Sequence, residues 1–449
     1  MNTDLLWQMD MRGGASLSGD YKLLLKQHIG KPDIPCVQEG DSVRRGARIA
    51  LADGPEPDLH ASVSGTVTQV TREFIVIRGE KPDRDSYEQL PSGDLKERIR
   101  AAGIVGMGGA GFPTGIKLSQ DITGGTVIAN AAECEPILNH NVAQIEADPA
   151  EIYRGLVYAM EAVHAARGVI AIKHKHHKAI SLLKNVIDDD RVSVFPVEDL
   201  YPAGEERALI RDILGILVPP EERAITANTI VINTETLSRV TQAVELGRPV
   251  ISKNLTVAGK LHGGPKALTL MDVPIGARVG DLIEEAGGID GDYGEIIMDG
   301  PFMGHSVTPD DVITKTTGGI IVTMPFLPEK LPLGLLVCAC SASETRMREI
   351  AKKMGADVAG VERCKHAVWA RGGLKCQNPG VCPGQADRVL RLRKAGARAL
   401  LIGNCSDCSN TVMSLAPKLH MPVHHVTDSA MRAMDLHLIR KLQKKQPSI

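Results

Sequence analysis

The run GMGGAGFPTGIK, Gly106 to Lys117, brings five glycines into ten positions, directly after an apolar segment and before a helical one. Glycines at this density let backbone N–H groups approach a ligand with no Cβ in the way, and they supply positive φ where turns need it. Lys117 adds a positive charge at the expected start of the following helix, where phosphate is already favoured. The spacing is neither GxGxxG nor GxxxxGK[ST], so neither common nucleotide motif is matched. The chemistry expected is a phosphate cradle of another kind, and a flexible turn is the competing reading.

The nine cysteines are spread unevenly. Cys36 and Cys134 stand apart, whereas Cys338, Cys340, Cys364, Cys376, Cys382, Cys405 and Cys408 fall in the last 112 residues. In a reducing compartment, clustered cysteines point to redox chemistry or metal binding rather than to a disulfide framework. CSDC, Cys405 to Cys408, lies between the strand-like RALLIG and a helix beginning SNTVMS. A thiol at a helix N-terminus has its thiolate stabilised by the dipole. Three readings stay open: a thiol–disulfide pair, an iron–sulfur cluster, or a zinc knuckle shared with Cys338, Cys340 or Cys364. Because Cys338, Cys340, Cys405 and Cys408 all close expected strands, they should gather on one face, with Cys405 as the nucleophile.

The elements that must position these residues come from an ordinary soluble composition, 43% hydrophobic and 24% charged. Aromatics are only 3%, so the cores must be built from aliphatic residues and methionine. The net charge of −2, with no basic stripe interleaved with aromatics, argues against nucleic acid as a partner. The N-terminal residues lack the apolar core of a signal peptide. The longest apolar stretches, near Ile320–Leu327 and Leu331–Cys340, fall short of the ~20 residues a membrane span needs. No transmembrane segment is expected, and the chain reads as cytoplasmic or peripheral to a membrane complex.

At 449 residues the length prior is about three domains; the pattern divides into four. Residues 1–90 contain short strands (PCVQEGDSVRRGARIALA, DLHASVSGTVTQV, EFIVI) and are similar to the barrel-sandwich fold of biotinyl and lipoyl domains. Their tip, Ala52 to Asp58, carries no lysine, so a docking module is expected rather than a swinging arm. Residues 91–252 alternate strand-like runs with helical stretches, which predicts a parallel α/β sheet. Ligands of such sheets bind outside the carboxyl ends of strands. NAAECEP (Asn130 to Pro136), YPAGEERALI (Tyr201 to Ile210) and INTETL (Ile232 to Leu237) fall there. Residues 253–328 suggest a β-grasp domain of the SLBB kind. Residues 329–449 return to α/β alternation and end in a helix over AMRAMDLHLIRKLQKK. HKHHK, His174 to Lys178, reads as a solvated helix start.

GGAGFPTGIK, NAAECEP, GEERALI and NTETL, in this order, resemble the flavin- and NADH-binding subunit of respiratory complex I. Their relative, the electron-input C subunit of Rnf complexes, resembles the chain further, through KQHIGKPDIPCVQEGDSV and IIMDGPFMG. The resemblance covers about residues 20–330 and implies FMN over the glycine loop, cradled by Gly106, Gly108, Gly109, Gly111 and Lys117. It implies Asn130 at the ribityl-phosphate, with Asn233, Thr234 and Thr236 closing the far side. Glu133, Glu135, Glu205 and Glu206 match acidic residues beside the nicotinamide nucleotide. Two departures stand out. Met107 replaces an arginine of complex I, and Leu118 to Gln120 lack the aromatics that stack adenine there. The two CxxCxxCxxxCP runs of the Rnf subunit are absent.

In their place, VCAC, GGLKCQNPGVCPGQA and LLIGNCSDCSNTVM resemble the electron-transfer protein associated with D-proline reductase. That resemblance implies a flavoprotein passing electrons, from NADH or a membrane Rnf-type complex, to proline reductase or a similar selenoenzyme. Cys405, Cys408, Cys338 and Cys340 would carry them onward. FMN suits the upstream step because it accepts two electrons together and can pass them to a disulfide. The rival of a different class is a non-catalytic adaptor that docks a reductase to an electron-transfer complex.

Overall fold

Four apolar runs form the parallel sheet that the alternation predicts. In the computed structural model, which describes residues 19–80, 83 and 85–440, these strands are Thr126–Ala131, Arg167–Lys173, Val192–Val197 and Thr229–Asn233. Their order across the sheet is Val192–Val197, Arg167–Lys173, Thr126–Ala131, Thr229–Asn233, and every pairing is parallel. Both faces are covered. Val127 and Ala129 pack with Leu156, Met160 and Leu237 on one side, while Ile128, Ala171 and Val231 pack with Leu209 and Ile210 on the other. Residues of one strand thus alternate between two cores, which is why its sequence is a continuous apolar run.

The N-terminal segment forms two small antiparallel sheets, one of Gly19–Leu24, Phe74–Gly79, Gly65–Val70 and Ser42–Val43, the other of Ile34–Pro35, Arg48–Leu51 and Leu59–His60. Beyond the parallel sheet, Ser252–Gly259, Lys266–Pro274, Ile296–Met298, His305–Val307 and Gly319–Val322 make a mixed sheet, with the helix Val279–Glu285 against it. This sheet shares one core with the N-terminal sandwich, in which Leu23 and Ile75 meet Leu255, Val257 and Ile320.

The cysteine-rich segment is a second parallel sheet, in the order Val358–Arg363, Leu333–Val337, Ala399–Ile402, Val423–His425. An antiparallel hairpin, Ala367–Ala370 with Gly373–Cys376, is added beside it. The expected terminal helix is a correction. Only Asp428–Ala433 is helical; the chain then turns through Asp435 at φ 51°, and Leu436 N–H returns to the Met431 carbonyl. Leu436 and Ile439 pack sideways on a core containing Ile137 and Met431, a contact that a continuing helix would not make. Residues 441–445 of that expected helix lie outside the described residues.

Candidate functional site

The central strand ends side by side with its neighbour, Asn130 in register with Asn233. Asn233 caps the helix Thr234–Leu246, its Oδ1 accepting the N–H groups of Glu235 at 2.9 Å and Thr236 at 3.4 Å. Thr236 Oγ1 accepts the Met107 N–H at 3.0 Å and donates to the Val105 carbonyl at 3.3 Å, pinning the glycine loop to this helix start. The loop is closed by Gly106 N–H to the Phe112 carbonyl at 2.9 Å. A Cβ on Gly108 would stand 2.5 Å from Asn233 Nδ2, whereas one on Gly109 would meet nothing within 4 Å. Gly111 has φ +69° and sits against the Gln27 carbonyl and His28.

Gly109 and Ala110 border a cavity of about 430 Å³, lined also by Lys22, Lys26, His28 and His305. Lys117 is in the last turn of a short helix, Thr114–Leu118, and not at its start, because Pro113 opens the helix. Its ammonium is buried and donates to the Val231 carbonyl at 2.8 Å; among the described residues it makes no ion pair. Burial pulls its pKa down, with the charge of Glu206 opposing.

The remaining residues expected at this site have local partners. Asn130 Nδ2 donates to the Gly204 carbonyl at 2.9 Å and its Oδ1 accepts Ala132 N–H. Thr234 is buried and its hydroxyl meets Asn141 Oδ1 at 3.4 Å. Glu133 accepts Glu135 N–H at 3.0 Å and Asn141 Nδ2 at 3.2 Å. Glu135 accepts the N–H groups of Phe302 and Met303, both at 2.8 Å, and burial pushes its pKa up to about 8. Glu205 caps the helix Glu206–Leu214 through Ala208 N–H, and burial raises its pKa as well. Burial likewise raises Glu133.

That helix carries the geometry onward to the cysteines. Arg207 donates to the Cys376 carbonyl at 2.5 Å and the Gln377 carbonyl at 3.0 Å; Arg211 donates to Asn378 Oδ1 at 2.7 Å and the Pro379 carbonyl at 2.6 Å. Just before the helix, Tyr201 stacks on Phe302, ring centroids 3.6 Å apart and planes within 4°. Its hydroxyl donates to the Cys340 carbonyl, and its backbone exchanges hydrogen bonds with Ser406, inside the CSDC segment.

Cys338, Cys340, Cys405 and Cys408 do gather, joined by Cys364, which was also expected at a strand end, and by Cys376 and Cys382, which spacing alone did not disclose. Their thiols form one hydrogen-bonded network: Cys376 with Cys340, Cys340 with Cys338, Cys338 with Cys364, and Cys364 with Cys408. Cys408 also meets Cys382 and Cys405, so it has three sulfur neighbours. Gln385, fully buried, points Nε2 at Cys364 Sγ (3.1 Å), Cys408 Sγ (3.6 Å) and Cys382 Sγ (3.9 Å). Gly384 N–H and Thr411 Oγ1 add contacts to Cys382 Sγ at 3.3 and 3.2 Å. N–H groups aimed at sulfur favour the thiolate. Such a cluster is compatible with an iron–sulfur centre. As the side chains stand, however, no three Cys, His, Asp or Glu among the described residues are arranged to hold a metal ion.

A barrel-sandwich segment, a parallel sheet with a glycine loop at its strand ends, and a thiol cluster clamped to one of its helices define a multidomain α/β protein. Known proteins of this kind share its sequence. Residues 99–242 match the family model of the Nuo51 FMN-binding domain, and residues 14–82 that of the RnfC barrel sandwich hybrid domain. The chain is 31% identical over 316 residues to the C subunit of the Na(+)-translocating ferredoxin:NAD(+) oxidoreductase complex of Acetobacterium woodii, covering 66% of this chain and 71% of that one. It is 32% identical over 320 residues to the C subunit of the proton-translocating complex of Clostridium ljungdahlii, covering 66% and 69%. The chain therefore belongs to the family of C subunits of ion-translocating ferredoxin:NAD(+) oxidoreductase complexes.

It is also 39% identical over 246 residues to the cobalamin reductase PduS of Salmonella typhimurium, covering 54% of this chain and 52% of that one. The chain thus spans about half the length of the cobalamin reductases it matches. These relatives are cobalamin reductases and C subunits, not the proline-reductase-associated protein that the C-terminal motifs resemble. A chain of an NAD+-reducing [NiFe]-hydrogenase overlays at TM-score 0.43 and 21% identity, covering 51% of this chain and 46% of that one. No helix among the described residues is long and apolar enough to cross a membrane.

The residues present fit an FMN. Gly109 leaves the loop backbone open, and Lys117 is a buried cation whose hydrogen bond goes only to a carbonyl. A buried ammonium with no ion pair in direct contact is costly, and an anionic ligand would relieve that cost.

Proposed function

We propose that this chain is an FMN-dependent electron-transfer protein that takes electrons from NADH or a membrane Rnf-type complex and delivers them to a reductase through its C-terminal cysteines. Bound FMN would supply two-electron exchange with a nicotinamide nucleotide. The observation that carries the reading is the helix Glu206–Leu214. The charge of its first residue, Glu206, acts on the buried Lys117, and Arg207 and Arg211 hold the segment that follows Cys376, so one helix is coupled to both sites.

In this reading Gly106, Gly108, Gly109 and Gly111 give the cofactor close backbone approach, and Lys117 offsets its negative charge. Lys22 and Lys26 bring two ammonium groups to the adjoining cavity, which Asp299 and Asp311 also line, and these cations would suit the pyrophosphate of a nucleotide. Asn130 acts through Gly204, holding the Tyr201–Gly204 turn that reaches the thiols. We take the acceptor to be proline reductase or a reductase like it, on the resemblance of the VCAC, GVCPGQA and NCSDC motifs.

The test is an absorption spectrum of the purified protein, with flavin, iron and zinc analysis, before and after NADH. FMN at one per chain, bleached by NADH, is the expected result. Flavin that only a partner protein reduces would assign the donor elsewhere, and a colourless protein that takes up no added FMN would favour the adaptor.

A further inference from the structure

A second, shallower cavity of about 360 Å³ opens on the cysteine-rich sheet. Cys364 reaches it, and of the seven clustered cysteines it alone belongs to the lining. Cys364 follows the strand Val358–Arg363, its N–H bonded to the Val337 carbonyl at 2.9 Å, so its sulfur lies at the carboxyl end of a parallel sheet. Around it stand Glu344, Glu362, Arg363, Lys365 and Arg388. Arg388 pairs with Glu362 at 3.0 Å, Arg363 with Glu344 at 3.8 Å, and Lys365 with Asp387 at 2.9 Å. Both signs of charge are therefore present at the wall, which suits a zwitterionic ligand better than an apolar one.

We propose that Cys364 is a nucleophilic thiolate that reduces a small zwitterionic disulfide of the peptide-disulfide class in this cavity, with Cys408 as its resolving partner. Two observations converge on it. Cys364, a buried side chain, is among the residues lining this cavity. Gln385 Nε2 contacts both Cys364 and Cys408 sulfurs, and the two thiols are hydrogen-bonded to each other.

Atoms and electrons balance over two displacements. The Cys364 thiolate attacks one sulfur of the disulfide, forming a mixed disulfide and releasing one thiolate. Cys408 gives its proton to that thiolate, attacks Cys364 Sγ and releases the second. The protein ends with a Cys364–Cys408 disulfide, two electrons poorer, and the substrate ends as one thiol and one thiolate. A dithiol restores the protein pair. The proposal stands apart from the flavin reading, since the thiols can be reduced chemically.

Glutathione disulfide is the probe. The full-length protein is reduced with dithiothreitol, desalted without oxygen, mixed with the probe, quenched with acid and mapped by peptide mass spectrometry. Wild type should consume one glutathione disulfide per chain and yield a Cys364–Cys408 disulfide. Cys408→Ser should trap glutathione on Cys364, and Cys364→Ser should slow consumption at least roughly tenfold while circular dichroism stays unchanged. An adduct on Cys382 or Cys405 in the Cys408→Ser protein would overturn the assignment. So would stoichiometric iron or zinc that leaves Cys364 unreactive until a chelator removes it.

Discussion

Gly108 lies so close against Asn233 that a Cβ there would fall 2.5 Å from Nδ2, while its neighbour Gly109 faces open space. Two adjacent glycines therefore serve different ends. The first permits the loop to rest on the helix cap, and the second keeps the loop backbone accessible. Gly108→Ala should destabilise the protein by about 1–3 kcal/mol, because either the cap bonds or the loop must move. Gly109→Val should fold with a melting temperature near wild type yet fail to retain flavin. Calorimetry together with flavin content separates the two, and normal flavin in Gly109→Val would remove the loop from the site.

Lys117 makes the complementary case. A buried ammonium whose contacts are one carbonyl and, at 5.9 Å, the Phe112 ring contributes little to the ligand-free fold, so Lys117→Met should leave unfolding free energy within about 1 kcal/mol of wild type. Its affinity for FMN should fall at least roughly tenfold, or about 1.4 kcal/mol. Fluorescence titration of the apoprotein measures it. Unchanged affinity would mean that the ammonium serves the Val231 strand end alone.

Glu135 ties stability to pH. Burial raises its pKa from the ordinary 4.5 to about 8, so between these values the folded protein holds a proton that the unfolded chain has lost. The linked stability is full below about pH 4.5 and declines as pH rises through 8. Above that range the junction between Glu135 and the Phe302–Met303 backbone should loosen. Glu135→Gln should cost about 1–3 kcal/mol at low pH, having one acceptor for two N–H groups, and should flatten the pH profile. Calorimetric scans across the range test both signs.

The strands of both parallel sheets were legible because buried strands read as apolar, β-branched runs between turn residues. The hairpin Ala367–Cys376 was not. Its two-residue turn places Arg371 at φ 52° beside Gly372 at φ 73°, and arginine gives no sign of a left-handed conformation. The thiol site was half legible. CSDC, VCAC and Cys364 announce themselves by spacing and strand ends, but Cys382 and Gln385 join them only through the packing of a loop. The glutamates show the reverse limit: two motifs assign Glu133 and Glu205 the same role, yet one bridges a strand end and the other caps a helix, contacts too local to differ in a motif.

The helix Glu206–Leu214 gives the last prediction, since its two arginines bind a loop that has no regular structure of its own. Arg207 alone satisfies the carbonyls of Val218, Cys376 and Gln377, a three-way bridge that a planar guanidinium can make and a lysine cannot. Removing it leaves buried carbonyls without a donor, at about 1–3 kcal/mol. Arg207→Ala should therefore release the Cys376–Pro379 segment while the parallel sheet keeps its shape. Hydrogen exchange should rise in residues 376–384, alkylation of Cys376 should quicken, and flavin content should stay at wild-type level. Arg207→Lys should behave like the alanine variant and not like wild type. If exchange rises equally across residues 126–131, the helix supports the whole sheet and does not act as a clamp between two sites.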